Sequence, residues 1–395
     1  MLKKWTPIQK YLLILGLCLG QVFLSGGLNY VFLRKSFEFE HIKNIVEKQF
    51  QDGALYYSAL RHIGYPYKLS LYKKVKPKVV VLGSSRVWQF RSFYFTVPFV
   101  NGGGAMYSFR EGRQLLQEMI AFHKPEVVIL GLDPWWFVQG WQPNVGDPGA
   151  TGEEFVMDMI FLPWEWLLKG KVPLSHYGQV LLGKKPGLLP SIGVFAAVRT
   201  EGFYKDGSFY YLGQLGRPEF FSQEKNRFST VITEINNGEG CFIHNQTMDQ
   251  KKWLELVELA QLIQRENIRL IAFLPPLPSQ VIDLLVKNAD KYTYIDGLRV
   301  RLPRVINHYY DFFDSRNLGS CDLEFNDGVH GGEITHLRIL EKISQDPDSG
   351  LSPYLDQQKI TAYIREYRGK AKVPPPFYPG PPAGGGSFDL GRGQN

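Results

Sequence analysis

From Tyr11 to Leu33 the chain runs for 23 residues without a single charge, dominated by Leu, Ile, Val, Phe and Gly. At about 1.5 Å of rise per residue this is a helix of roughly 34 Å, enough to cross a hydrocarbon core of about 30 Å. Lys3, Lys4 and Lys10 flank the run on one side, and Arg34 and Lys35 on the other. The rival readings are a buried core helix and a cleaved signal peptide. The flanking charges and terminal position argue against the first. The second meets two objections: the run exceeds an h-region of about 7 to 15 residues, and no Ala-x-Ala-like site follows. Leu17 stands before Cys18 where a lipoprotein cleavage site needs a small residue. The expectation is an uncleaved transmembrane signal anchor over 11–33, after a cytoplasmic tip of residues 1–10. Three lysines before the span against Arg34 and Lys35 after it put the amino terminus in the cytoplasm. The bulk of the chain is then extracytoplasmic (periplasmic), held to the cytoplasmic (inner) membrane by a single pass.

The same segment explains the charge. Of the formal +7, residues 1–35 supply +5 and no acid, and Val373–Asn395 sets Arg392 against Asp389. That leaves about +2 for 36–372, so the basic pI speaks for a bilayer and no nucleic-acid partner is expected. Residues 373–395 hold six prolines and six glycines, cannot bury a core and are expected to be a disordered tail. Three cysteines and no Cys-x-x-Cys pair exclude a disulfide-stapled small fold and a zinc array. Cys241 and Cys321 both lie on the oxidising side, where they either pair or remain two buried thiols.

Residues 78–82 (KVVVL), 126–130 (EVVIL) and 268–274 (IRLIAFL) are nearly unbroken apolar runs, as expected of central strands buried on both faces. Helical stretches at 110–122 and 248–266 precede the second and third. In the latter, Trp253, Leu256, Val257, Ala260 and Ile263 recur at helical spacing. Strands alternating with helices predict an α/β fold with a mainly parallel sheet. Residues 34–75 read as a stalk, 76–345 as the domain, 346–372 as a C-terminal helix. Within the domain, residues 140–245 lose the pattern and read as an insertion, either a lid or a partner-binding subdomain.

Sites in such sheets lie beyond the carboxyl ends of the strands. The first strand ends in Gly83-Ser84-Ser85-Arg86. A serine at this corner can be exposed on a tight turn with backbone N–H groups nearby for an oxyanion, although a turn and helix cap would look the same. Asn101-Gly102-Gly103-Gly104 follows the next apolar stretch; it is either a flexible loop or one that lends an N–H. The 126–130 strand ends in Gly131-Leu132-Asp133-Pro134, whose Asp either faces the crevice or is an ordinary turn residue. Far downstream, Asn326-Asp327-Gly328-Val329-His330 opens a helical segment. Asp and His three apart can place a carboxylate behind an imidazole, or can simply cap a helix.

Taken in order, these four stretches resemble the sequence blocks of the SGNH/GDSL hydrolase superfamily, over roughly residues 76–345. The resemblance implies a three-layer α/β/α sandwich of flavodoxin-like type, with Ser85 as nucleophile, His330 as general base and Asp327 as its orienting carboxylate. It makes Gly103 or Gly104 a backbone oxyanion donor and places Arg86 and Asn101 at the oxyanion or substrate site. It implies no cofactor and no metal. One departure stands out: the third block usually supplies an Asn amide to the oxyanion, and here Asp133 occupies it. An ionised carboxylate only accepts hydrogen bonds. Losing one donor costs on the order of 3 kcal/mol in a well-studied case. Asp133 is therefore turned away, or protonated, or the protein is a poor catalyst. Within the superfamily, Gly-Ser-Ser-Arg, Gly-Leu-Asp-Pro and the single anchor look most like bacterial membrane-anchored proteins of alginate O-acetylation and teichoic-acid D-alanylation. Those work beside a multi-span membrane acyltransferase on envelope polymers.

Three functions follow: a serine acyl-esterase or O-acyltransferase acting on an exported polysaccharide, a non-catalytic relative that binds polysaccharide or an acyltransferase partner, or a tethered scaffold. The scaffold reading predicts that Ser85, Asp327 and His330 lie far apart. Trp135, Trp136, Phe137, Trp141, Trp164 and Trp166 are either sugar-stacking surfaces or core. Residues 161–168 either touch the membrane surface or are buried in the insertion. His336, six residues after His330, is off register for a shared site and reads as a surface or cap residue. No His-Glu-x-x-His, Walker loop, Gly-x-Ser-x-Gly elbow or Rossmann fingerprint is present.

Overall fold

The computed structural model describes residues 6–61, 64–141, 157–184, 189–215 and 227–377. Helix α1 (Pro7–Lys35) is capped by Thr6 and Gln9 in a reciprocal capping box, with Pro7 at a position that needs no N–H. It is long and apolar enough to cross a membrane. Next come α2 (Ile42–Asp52), strand β1 (Leu55–Tyr56) and α3 (Tyr65–Val75). β2 (Val79–Leu82), β3 (Phe99–Asn101), α4 (Phe109–Phe122) and β4 (Val127–Gly131) begin the main sheet. Between β4 and the later half lie α5 (Leu162–Leu168), α6 (Leu174–Leu181), β5 (Ser191–Ile192), α7 (Val194–Arg199), β6 (Glu201–Phe203), β7 (Phe209–Tyr211) and α8 (Ser229–Asn237). The chain continues through α9 (Gln250–Arg265), β8 (Arg269–Leu274), α10 (Ser279–Lys287), α11 (Thr293–Arg301) and β9 (His308–Asp311). It closes with α12 (Glu333–Ser344) and α13 (Gln357–Glu366).

The three apolar runs become neighbouring strands. The main sheet has the order β3-β2-β4-β8-β9, and every pair is parallel. Val80, Leu82, Val128, Leu130, Ala272 and Leu274 face one core, where Leu115 and Leu116 of α4 and Leu256 and Leu259 of α9 meet them. The alternate residues Val79, Val81, Val127, Ile129, Ile271 and Phe273 face the other, against Leu337 and Leu340 of α12 and Ile360 of α13. Both faces are dry, which is why these strands read as unbroken apolar runs. Each such buried side chain contributes about 1.5–3 kcal/mol. The connections leave β2 towards β3 and β4 towards β8, so the sheet reverses direction between β2 and β4. In an open α/β sheet that switch point is where a crevice opens.

One expectation fails: residues 34–75 are not a stalk. The 140–245 segment does fall between β4 and β8 of the main sheet, and it shares a second sheet with the 34–75 segment. β1 pairs in parallel with β5 and antiparallel with β6, and β7 completes a second sheet of order β5-β1-β6-β7. Both segments are thus woven into one body. Gln49 of α2 donates to the Phe203 carbonyl at 2.9 Å and accepts from the Tyr67 hydroxyl at 2.8 Å. Lys68 of α3 is fully buried and donates to the carbonyls of Asn101 and Gly207, joining the second sheet to β3. Burial holds its ammonium well below the ordinary lysine range. Val231 and Ile235 of α8 enter the main core. Strands of two or three residues are too short to show a period, and their partners lie far off in sequence.

At the other end, the expected helix over 346–372 shrinks to α13, capped by Asp356. Ala371 and Val373 are buried, and Phe377 stacks on Tyr204 at 4.3 Å, so the start of the proline-rich tail is packed. Residues 378–395 of the expected disordered tail lie outside the described residues, as do 142–156, 185–188 and 216–226 of the expected insertion. Cys18, Cys241 and Cys321 are all free, so the possible Cys241–Cys321 disulfide is absent. Because α3 covers the main sheet, a chain that begins at residue 76 should fail to show cooperative thermal unfolding, whereas one that begins at residue 36 should melt in a single transition. Calorimetry of the two distinguishes a wall of the domain from a dispensable stalk.

Candidate active site

β2 ends at Leu82, and the chain must turn at once to lift the following residues above the sheet. Gly83 does so with a φ of +152°, where a Cβ would meet Val87 at 3.0 Å and the Gly131 carbonyl at 3.3 Å. Ser84 then caps a short 3₁₀ turn over Ser85–Val87, its hydroxyl accepting from the Arg86 N–H at 3.1 Å. This turn presents Ser85 at the switch point.

The second half of the site comes from the loop before α12. Asn326 N–H donates to the His330 carbonyl, and Phe325 bridges Gly331, closing the loop on itself. Inside it, Asp327 Oδ1 accepts from the N–H groups of Val329 and His330 at 2.9 and 2.8 Å. His330 Nδ1 lies 2.8 and 3.0 Å from the two Asp327 oxygens, and its Nε2 lies 2.8 Å from Ser85 Oγ. Serine, imidazole and carboxylate therefore stand in one hydrogen-bonded line. The separation that a pure scaffold would show is absent.

The protonation pattern follows from the carboxylate. Desolvation pushes Asp327 up, but the His330 imidazole and the Val329 and His330 N–H groups outweigh it and hold the carboxyl at about 2. At neutral pH it is ionised and only accepts. His330 Nδ1 must then carry the proton, and a neutral imidazole leaves the Nε2 lone pair facing the serine hydroxyl. His330 and Asp327 side chains are 26% and 47% exposed, so a solute can reach the line.

Arg86 sits behind the serine, and its role differs from the expected one. Its side chain is buried: Nε donates to the Val329 carbonyl at 2.9 Å, Nη1 to Asp133 Oδ1 at 3.1 Å, and Nη2 to the carbonyls of Pro275 and Pro276 at 2.9 and 2.7 Å. It therefore clamps the loops after β2, β4 and β8 to the histidine loop and is not a substrate ligand. The partner explains Asp133. Burial pushes this carboxyl up while the Arg86 guanidinium and the Ser84 hydroxyl pull it down, and Oδ1 is committed to Arg86. The geometry shows the first of the three alternatives for Asp133, Oδ1 turned to the arginine, while burial raises the carboxyl in the direction of the second.

The expected oxyanion donors are also engaged elsewhere. Asn101 is buried; its amide N–H groups donate to the carbonyls of Val87 and Phe90, and its Oδ1 accepts from the Gly103 N–H at 2.8 Å. Gly104, at φ +80°, turns its N–H to the Gly83 carbonyl at 2.9 Å. Both glycines therefore brace the serine turn instead of pointing at a substrate. The Ser85 N–H carries no hydrogen bond among the described residues and remains available.

His336 is the functional neighbour that sequence reasoning misplaced. It is buried, not a surface residue, and its ring nitrogens lie 2.8 Å from the carbonyls of Gly332 and Arg86, of which the neutral ring donates to one. It thereby ties α12 to the serine turn. Arg91 and Glu333 form a second brace, a buried pair at 2.7 Å that also engages Tyr94 and Ser208. The signal for His336 was its spacing with Ile339, Leu340 and Ile343 on the buried stripe of α12. Trp135, Trp136, Phe137 and Trp166 are core, and only Trp164 of the proposed stacking set is well exposed. Cys241 lies in the field of the site, but burial, Asp133 and Glu234 push its thiol up to about 12, so it stays protonated at neutral pH.

No protein-family model matches the chain, and no curated protein matches it. Burial lowers His336 from an ordinary 6.5 to about 4, against the pull of the two carbonyls. The unfolded chain then takes up the proton first as pH falls, so this contribution is complete above about 6.5 and is lost on descending towards 4, on the order of 3 kcal/mol. His336→Gln, which cannot titrate, should show a flatter dependence of melting temperature on pH across that window than wild type; parallel curves would deny His336 the buried neutral state.

Proposed function

We propose that this chain is a membrane-anchored serine acyl-esterase or O-acyltransferase of SGNH type that acts on an extracytoplasmic polysaccharide. The observation that carries the reading is the hydrogen-bonded line Ser85–His330–Asp327 at the switch point of the parallel sheet. Supporting it are the strand order, the helices on both sheet faces as expected of a three-layer α/β/α sandwich, and the apolar helix α1. With Lys3, Lys4 and Lys10 held in the cytoplasm, the body lies on the outer side of the cytoplasmic membrane, beside the polymers and any multi-span acyltransferase partner.

The chemistry follows from the protonation pattern. As Ser85 Oγ attacks an ester carbonyl, its proton passes to His330 Nε2, and the carbonyl oxygen takes the negative charge. Asp327 stabilises the imidazolium through Nδ1–H without taking the proton. The Ser85 N–H, which has no other partner among the described residues, is the donor available to the oxyanion. His330 then returns its proton to the departing alcohol, leaving an acyl-serine. Water or a sugar hydroxyl then gives a proton to His330 and takes the acyl group from Ser85, whose departing Oγ recovers the proton from His330.

The engaged Gly103 and Gly104 amides and the carboxylate at Asp133 favour a second reading, a non-catalytic protein that binds polysaccharide or an acyltransferase. One variant separates them. With a chromogenic acetyl ester, Ser85→Ala should lower kcat/KM by at least about a thousandfold, and it should fail to complement a deletion strain despite normal expression. Wild-type turnover that equals that of the variant, together with full rescue, would favour binding.

A further inference from the structure

The last turns of α1 are not free. A Cβ at Gly26 would stand in van der Waals contact with Ile160 at 3.7 Å and Phe161 at 3.9 Å. Asn29 accepts from the Tyr177 hydroxyl at 2.7 Å, Phe32 packs on the Tyr177 ring at 4.6 Å, and Lys35 Nζ donates to the Leu181 carbonyl at 2.6 Å. Residues 160–181 thus cover one face of α1 from Gly26 onward, that of Asn29, Phe32 and Leu33, while Leu28, Tyr30 and Val31 stay exposed. The uncovered stretch from Ile8 to Ser25 has 18 residues and is apolar apart from Gln9, Lys10, Gln21 and Ser25 itself, with Lys10 near its amino-terminal edge, where its amine can snorkel to the headgroups. Its length is about 27 Å, close to a hydrocarbon core of about 30 Å. By this ruler the bilayer boundary falls beside Ser25 and Gly26, eight residues before the end of the uncharged run at Leu33. Asn29 then lies outside the hydrocarbon, bonded to α6.

What surrounds α1 at that level is the segment carrying α5 and α6. Leu168, Leu174 and Leu182 are 88%, 74% and 77% exposed, and Phe161 and Trp164 are exposed beside them. Outside α1, the other exposed large apolar side chains of the described residues are scattered singly, as on any soluble surface. Here five fall within 22 residues. Arg34, Lys35, Lys169, Lys171 and Lys184 surround them, against Asp158 and Glu165, of which Glu165 pairs with Lys169 at 2.7 Å. Apolar tips, an aromatic ring with a polar edge and an excess of lysine together suit the boundary between lipid tails and phosphates.

We propose that residues 158–184 form an interfacial collar that rests in the headgroup layer of the bilayer crossed by α1. Phe161, Trp164, Leu168, Leu174 and Leu182 enter the lipid, and Lys171 and Lys184 meet the phosphates. The collar and the end of α1 are one packed unit, so the body is attached at two points and cannot swing on a flexible stalk. The inference requires α1 to span the membrane and is independent of the chemistry at Ser85.

Full-length protein in phosphatidylcholine–phosphatidylglycerol nanodiscs tests it. Spin labels are placed singly at native Cys18, at Leu174→Cys, at Leu182→Cys and at Val286→Cys on α10, with the other cysteines replaced by serine. Cys18 reports the span itself. The collar predicts oxygen accessibility relative to a polar nickel reagent severalfold higher at 174 and 182 than at 286. Equal values with a lipid-buried Cys18 overturn the collar while leaving the span intact, and assign the patch to a protein partner instead. A water-exposed Cys18 overturns the span and the collar with it. As a check without labels, Trp164→Phe should remove part of the tryptophan quenching by brominated lipid; undiminished quenching contradicts the proposal.

Discussion

The site depends on one buried guanidinium. Arg86 follows the serine in sequence, and it carries charge into a place where charge is expensive. It is held there by Asp133 and three backbone carbonyls, which come from the loops after β4 and β8 and from the histidine loop. Removing one partner of such a buried pair costs about 3–5 kcal/mol because the other is left uncompensated. The arrangement converts that penalty into geometry: the serine turn and the histidine loop, about 245 residues apart in sequence, cannot drift without breaking the arginine's bonds. His336 fastens the same turn from below by way of the Arg86 carbonyl.

This clamp also accounts for Asp133. In a site where the third strand end supplies a neutral amide, the arginine would lack its counter-charge. Here the carboxylate neutralises Arg86, and the pair removes two groups from the oxyanion region together. Asn101 does the same to the glycine loop by capturing the Gly103 N–H. On the proposed chemistry this leaves few oxyanion donors, and slow turnover is what that reading predicts.

The parallel strands were legible because burial on both faces leaves an unbroken apolar run, and Ser85, Asp327 and His330 because four stretches, each with an ordinary turn or cap reading alone, follow one another in order at strand ends. The direction of a backbone N–H was not legible: Gly103 and Gly104 were assigned by their position, but Asn101 and the φ of Gly104 decide where their hydrogens point. The second sheet escaped for another reason. β1 and β5 are two residues each and pair across more than 130 positions, so 34–75 resembled a stalk. His336 was judged by its register with His330, although its spacing with Ile339, Leu340 and Ile343 already placed it inside.

The account rests on a nucleophilic Ser85, and a fluorophosphonate reports that directly, since it captures only a serine whose proton a neighbouring base can take. Mass spectrometry of the folded full-length protein after treatment should find a single adduct, on the peptide containing Ser85, and none in His330→Ala. An unlabelled Ser85 in folded protein, or equal labelling with His330 removed, would contradict the catalytic claim.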